Sequence, residues 1–163
     1  MAIEELEYAE LEQEVLGLID RNRTMVLATC ADARVTARMM SIIHDGLTVY
    51  FQTGEDSTKY QQMAANAQVA LCIGNMQIEG RIMLLGHTLA PENRFFAEPY
   101  QRLHRGSYDA YSALPISRVV EVRPTLVTLW KYGADGKPFR DFLNIAERKA
   151  YREMYLSEMR LSQ

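Results

Sequence analysis

Three scarcities narrow the field before any motif is read. Cysteine is scarce: the 163-residue chain has only Cys30 and Cys72, far apart in apolar runs and without CxxC spacing. That argues against a disulfide scaffold or a structural zinc site, and buried, inert thiols in a reducing compartment are expected. Long apolar runs are missing, with nowhere eighteen such residues together, so no membrane-spanning helix is expected. Positive charge is not in excess either, because 18 Lys and Arg stand against 21 Asp and Glu for a net charge of -3. General nucleic-acid binding is disfavoured, since it draws on basic surface to displace phosphate counterions. The N-terminal MAIEELEYAELEQEV is acidic and has no basic segment leading into an apolar one. The expectation is a soluble, cytoplasmic protein with a small-molecule substrate and neither nucleic acid nor membrane as partner.

The catalytic inventory is also thin. No Ser-His-Asp, Cys-His, HExxH or GxGxxG arrangement occurs, and His44, His87 and His104 show no metal spacing and read as surface residues. The nine methionines are spread through strand-like and helix-like segments and read mostly as core filler.

What is present is enough chain for one domain with a real core, residues 1–163. Leu11, Val15, Leu18 and Ile19 recur at helical spacing among glutamates, which predicts an amphipathic helix over residues 3–22. MVLATCA and VTARMMSII then read as strands joined by a turn at ADAR. Asp45-Gly46 signals a hairpin whose return strand is LTVYFQT. VALCIGN and IEGRIMLLGHTLA are two further strands with glycines suited to bulges. Residues 91–114 read as irregular helix interrupted at Pro99, and residues 116–131 as a long strand bent or edge-placed at Pro124. FRDFL is a short strand, and Asn144 to Glu147 opens a final helix over residues 144–161. These elements predict a mainly β (α+β) fold, a six- to seven-stranded antiparallel barrel over residues 24–143 with peripheral helices.

The stretch TGEDSTKYQQMAAN, residues 53–66, has two readings. Ser57 and Asp56 are ordinary helix caps, whereas Lys59 at a helix N-terminus supplies the elements of an anion site. A nucleotide P-loop is excluded, because Ser57 and Thr58 precede Lys59 and no second glycine is present. Pairing across the Asp45-Gly46 hairpin brings residue 38 near residue 53, so Arg38 and Lys59 converge on one anion, with phosphate favoured over carboxylate.

The ordered set RMxSII, DG, YFQT, STK opening a helix that ends at Asn66, VAL, and a late Trp with Arg ten residues on resembles the pyridoxamine-phosphate-oxidase-like FMN-binding split barrels. The resemblance covers roughly residues 20–143. It implies a homodimer with two FMN sites at the subunit interface. Arg38, Met39, Met40 and Ser41 match the strand along the flavin ring, with the arginine directed to the FMN phosphate. Gln52 and Thr53 match the end of the return strand. Ser57, Thr58 and Lys59 match phosphate-binding positions, although the oxidase commonly has Arg where Thr58 stands. Gln77 matches a glutamine near the ring with altered spacing to Gly80, and Trp130 and Arg140 match the residues that close the site.

Departures from the oxidase are as informative. Its substrate-phosphate lysine is replaced by Ile43, its Arg-x-His before the final arginine reads Gly136-Lys137-Pro138, and the Tyr and Arg of its middle helix are replaced within FFAEP. The expectation is an FMN-dependent oxidoreductase on a small organic molecule that has lost the pyridoxamine-phosphate site. Two alternatives stay open: a flavin carrier or sensor without turnover, and a barrel that holds deazaflavin or haem. Haem would draw its axial ligand from His44, His87 or His104.

Overall fold

In a computed structural model, residues 1–155 are described. They form ten strands and four helices in the order β1 (Ala2–Leu6), α1 (Tyr8–Asp20), β2 (Thr24–Ala31), β3 (Arg34–Ser41), β4 (Ile43–Asp45), β5 (Thr48–Gly54), α2 (Thr58–Ala65), β6 (Gln68–Ile73), β7 (Met76–His87), α3 (Arg94–Leu103), α4 (Arg105–Tyr111), β8 (Ser117–Tyr132), β9 (Pro138–Asn144) and β10 (Lys149–Met154). All pairings are antiparallel, and the main path across the sheet is β1-β10-β9-β8-β7-β6-β2-β3. No helix among the described residues is long and apolar enough to cross a membrane.

The sheet splits along β8. The first part of that strand pairs with β5 through residues 117–122, and its last part pairs with β9 through residues 126–132. Pro124 sits between the two partners and has no N–H to donate, so the proline stands where one edge changes hands. On the other edge β7 shifts register between Glu79 and Gly80. A Cβ on Gly80 would lie 2.7 Å from the Arg123 carbonyl oxygen and 3.0 Å from a Val122 methyl, so only glycine lets the strands approach here. Gly80→Ala is expected to destabilise the fold by about 1–3 kcal/mol in thermal unfolding, because the clash is with backbone.

β3 runs through Ile42 straight into β4, which pairs with β5, so the chain returns toward its starting strand. No ladder joins β3 to β5, and the barrel is left open there. Ile42 is held in this break by its own N–H donating to the Arg23 carbonyl at 2.9 Å, while its carbonyl accepts from His104 Nε2 at 2.8 Å.

Alternation decides what each face does. Leu27, Leu71, Ile78, Val127 and Leu143 are cross-strand neighbours in one row, and each is at least 99% buried. Leu11, Val15 and Ile19 of α1 close that core at i, i+4, i+8 spacing. A smaller cluster of Ile43, Phe96, Tyr100 and Val119 seats α3 on the sheet.

Several expectations are corrected. Residues 2–6 are a strand rather than helix, because β1 pairs along β10 from Ala2 with Met154 to Leu6 with Ala150. The final helix over residues 144–161 is replaced at least as far as Met154, where β10 pairs with β9, and residues 156–161 lie outside the described range. Ten strands replace six or seven, partly because β3 and β4 separate at Ile42 and partly through β1 and β10. The hairpin loop is Gly46-Leu47 with Gly46 at φ +55°, one residue later than Asp45-Gly46. Pro99 lies inside α3, and the break falls instead at His104, whose carbonyl and ring are both engaged. Cys30 is half-buried and Cys72 exposed, because both point away from the core row.

Candidate functional site

The opening between β3 and β5 is a cleft of about 460 Å³. Arg38, Met39, Met40 and Ser41 line it from β3, Gln52, Thr53 and Gly54 from β5, and Lys59 from α2. Tyr100, Ser107 and Tyr111 of α3 and α4 form its other wall. The hairpin geometry that placed residue 38 near residue 53 is realised without direct pairing between their strands.

Arg38 extends over the β2–β3 pair. Its Nη1 donates to Thr29 Oγ1 at 2.8 Å and to the Leu27 carbonyl at 3.3 Å, and Nη2 donates to Thr36 Oγ1. Burial alone lowers its pKa from the ordinary arginine value. Lys59 lies in the first turn of α2, where a cation opposes the helix dipole. Burial, with the Arg38 charge close by, holds its ammonium below the usual lysine range, and Asp56 pulls the other way. Neither cation forms an ion pair with a carboxylate among the described residues. Desolvation, like-charge proximity and a helix N-terminus are three costs that one bound anion relieves together.

Ser57 is the N-cap of α2, its Oγ accepting from the Tyr60 N–H at 3.3 Å and lying 3.1 Å from Thr53 Oγ1. The helix cap is therefore tied to the cleft through Thr53. Thr58 lines a separate surface groove with Asp32 and Arg34. The α3–α4 wall is neutral and polar. Gln52 accepts from Ser112 Oγ at 2.7 Å and donates to the Ser107 carbonyl at 3.2 Å, and the Tyr100 hydroxyl lies 2.9 Å from Ser107 Oγ. Burial raises the Tyr100 pKa, and hydrogen bonds with Ser107, Ser41 and Gln52 pull it back. Tyr100 and Ser107 had no sequence signal, because they come from a segment that reads only as irregular helix.

Gln77, Trp130 and Arg140 do not line the cleft. They lie on the outward face of the sheet, in the row Met39, Val26, Cys72, Gln77 and Thr128 that alternates with the core row, and Trp130 is two residues beyond Thr128. Trp130 is 39% exposed, and the Arg140 guanidinium sits 6.0 Å from its ring centre and 5.3 Å from that of Phe142. Arg140 Nη2 donates to Glu153 at 2.8 Å, while its buried Nε has no partner among the described residues. Met39 belongs to both sets, since it rims the cleft and is 61% exposed on this face.

None of the three histidines lines the cleft, and all are engaged. The ring nitrogens of His44 face the Gly46 carbonyl and the Asp20 carboxylate, each at 2.9 Å. His87 bonds to the Leu114 carbonyl at 2.9 Å and accepts from the Leu89 N–H at 3.1 Å. His104, expected at the surface, instead ties the α3–α4 junction to the β3–β4 break.

An unclosed antiparallel barrel with a cation-bearing cleft at its opening defines a split-barrel protein. The family model for pyridoxamine 5'-phosphate oxidase matches residues 11–131, and the chain belongs to that family. General stress protein 26 of Bacillus subtilis (strain 168) is 31% identical over 65 residues, 40% of this chain and 46% of that protein. The chain is thus matched to about half the length of that relative. Among solved structures, an FAD-binding protein from Mesorhizobium loti shares the fold at 12% identity and a TM-score of 0.57, over 94% of this chain and 99% of that one. HutZ, a haem storage protein from Vibrio cholerae, does so at 13% identity and 0.60, over 70% and 89%.

Proposed function

We propose that the protein is a homodimeric FMN-binding oxidoreductase that acts on a small organic molecule and lacks the pyridoxamine-phosphate site. The observation that carries this reading is the pair Arg38 and Lys59, two partly desolvated cations beside the cleft without a carboxylate ion-pair partner among the described residues, the second in the first turn of α2. The volume lies within the ordinary range for small-molecule sites. Bound FMN supplies the redox chemistry, and the chain supplies its grip and surroundings.

In this reading Arg38 and Lys59 hold the phosphate, with Thr53 and Ser57 as hydroxyl neighbours, and Met39 to Ser41 run along the ring. Ile43, where the oxidase has its substrate lysine, is 6% exposed in the cluster with Phe96 and Tyr100, which supports loss of the second phosphate site. The outward apolar face takes the second copy of the chain. Trp130 and Arg140, already on that face and with a guanidinium nitrogen unpartnered among the described residues, then reach the other copy's cleft. The engaged histidines weigh against an axial haem ligand, although a haem-storage relative has the same fold. If FMN binds but neither a nicotinamide nor any small oxidant changes its redox state, the protein is a carrier or sensor.

Titration with FMN and with riboflavin, followed by flavin fluorescence, tests the proposal; FMN should bind more tightly by at least about tenfold, since only FMN engages the two cations. Equal affinities would remove the phosphate from the account. Affinity should also depend on pH. Lys59 has a lowered pKa when free and a raised one beside a phosphate, so binding takes up a proton once pH passes the free value. Above the phosphate's own second pKa of about 6, FMN affinity is therefore level up to the free Lys59 pKa and falls as pH rises through it, before the ordinary lysine range is reached, a fall that riboflavin does not share.

A further inference from the structure

Gln62 is 6% exposed on α2 and lines the neighbouring groove with Thr58 rather than the cleft. Its Oε1 receives both Thr29 Oγ1 and Thr36 Oγ1 at 2.6 Å, and its Nε2 donates to the Arg34 carbonyl at 2.8 Å. The same two hydroxyls receive Arg38 Nη1 and Nη2. Proton directions in this cluster are fixed by chemistry. Arginine can only donate, so each threonine oxygen accepts from Arg38, and the two 2.6 Å contacts, rather than the 3.3 Å one between the hydroxyls, direct the threonine protons to Gln62, whose amide is oriented by the Arg34 carbonyl.

We infer that Gln62 is the positioning residue for Arg38, setting its guanidinium through Thr29 and Thr36 so that the Nε–H and one Nη2–H remain for a ligand anion. The inventory agrees. Nη1 has two protons and two partners, Nη2 has two protons and one partner, and Nε has none among the described residues. Nε and Nη2 form the fork that grips two oxygens of a phosphate side by side. Thr29 is 2% exposed, so the anchor is enclosed and a rotated guanidinium would give up its bonds to Thr29 and to the Leu27 carbonyl in a site closed to water. Application to FMN rests on the function proposed above; the clamp itself does not.

Two measurements separate these. In the ligand-free protein, nitrogen-15 NMR should show Arg38 with slowly rotating, separately resolved Nη protons, assigned by their loss in Arg38→Met. Gln62→Leu, which keeps the volume, should merge them, and so should Thr36→Val if the first variant folds poorly. Unchanged Nη signals in both variants would overturn the inference whether or not any flavin binds. In flavin titrations, Gln62→Leu should weaken FMN about tenfold, the scale of one misplaced charged hydrogen bond, with riboflavin within about twofold. In an Arg38→Met background it should cause no further loss. Equal loss for FMN and riboflavin, or the same loss without Arg38, would reduce Gln62 to a structural residue. A wild-type protein that binds neither flavin would contradict the proposed function and leave the NMR result to decide on the clamp.

Discussion

Lys59→Met should weaken FMN binding by about 10- to 100-fold and leave riboflavin within about twofold, as expected for removing one charge-assisted contact to phosphate. The same change should leave the ligand-free protein as stable as wild type or more stable. Lys59 sits in the first turn of α2 against the helix dipole, near Arg38 and partly desolvated, and no carboxylate pairs with it among the described residues. A cation at that end of a helix costs roughly 0.3–1 kcal/mol, which methionine relieves. Opposite signs for stability and affinity are the signature of a residue kept for a ligand. Isothermal titration and thermal unfolding read the two together. A Lys59→Met protein that loses stability and keeps its FMN affinity would make residues 57–59 a helix cap and nothing more.

Val35→Asp should convert the proposed dimer into a monomer and weaken FMN binding with it. Val35 is 68% exposed on the outward face, in line with Ala37 and with Met39 at 61%. The face continues across Val26 and Cys72 toward Gln77 and Trp130. Burying such side chains against a second copy contributes about 1.5–3 kcal/mol each, and a carboxylate there adds an unpaired charge. The dimer constant should fall by at least about 100-fold. Val35 faces away from the core, so circular dichroism of the variant should match wild type. Sedimentation velocity decides the matter: a monomeric wild type, or a Val35→Asp protein still dimeric, would oblige Trp130 and Arg140 to serve some other purpose.

The centre of the molecule was legible in the sequence because its signals are local. Two-residue turns, alternating apolar runs and the Ser57 cap lie within a few residues of what they organise, and hairpin spacing anticipated that Arg38 and Lys59 come close together. The edges were not legible. AIEEL and KAYREM have helix-like composition, and they become β1 and β10 by pairing with each other across the whole chain, so long-range ladders override local propensity. The opening of the barrel depends on where the two backbone groups of Ile42 find partners, Arg23 and His104, which no pattern along the chain records. Gln62 was hidden for a similar reason. Beside Gln61 it reads as a solvated helix position, and only the folded sheet shows that Thr29 and Thr36 meet it.

The most direct test is the absorbance spectrum of the freshly purified protein, followed by mass determination of the molecule released on denaturation. The account predicts a flavin spectrum and the mass of FMN, at close to one molecule per chain after reconstitution. A colourless protein that takes up no FMN, or one that releases haem or a deazaflavin, would contradict it.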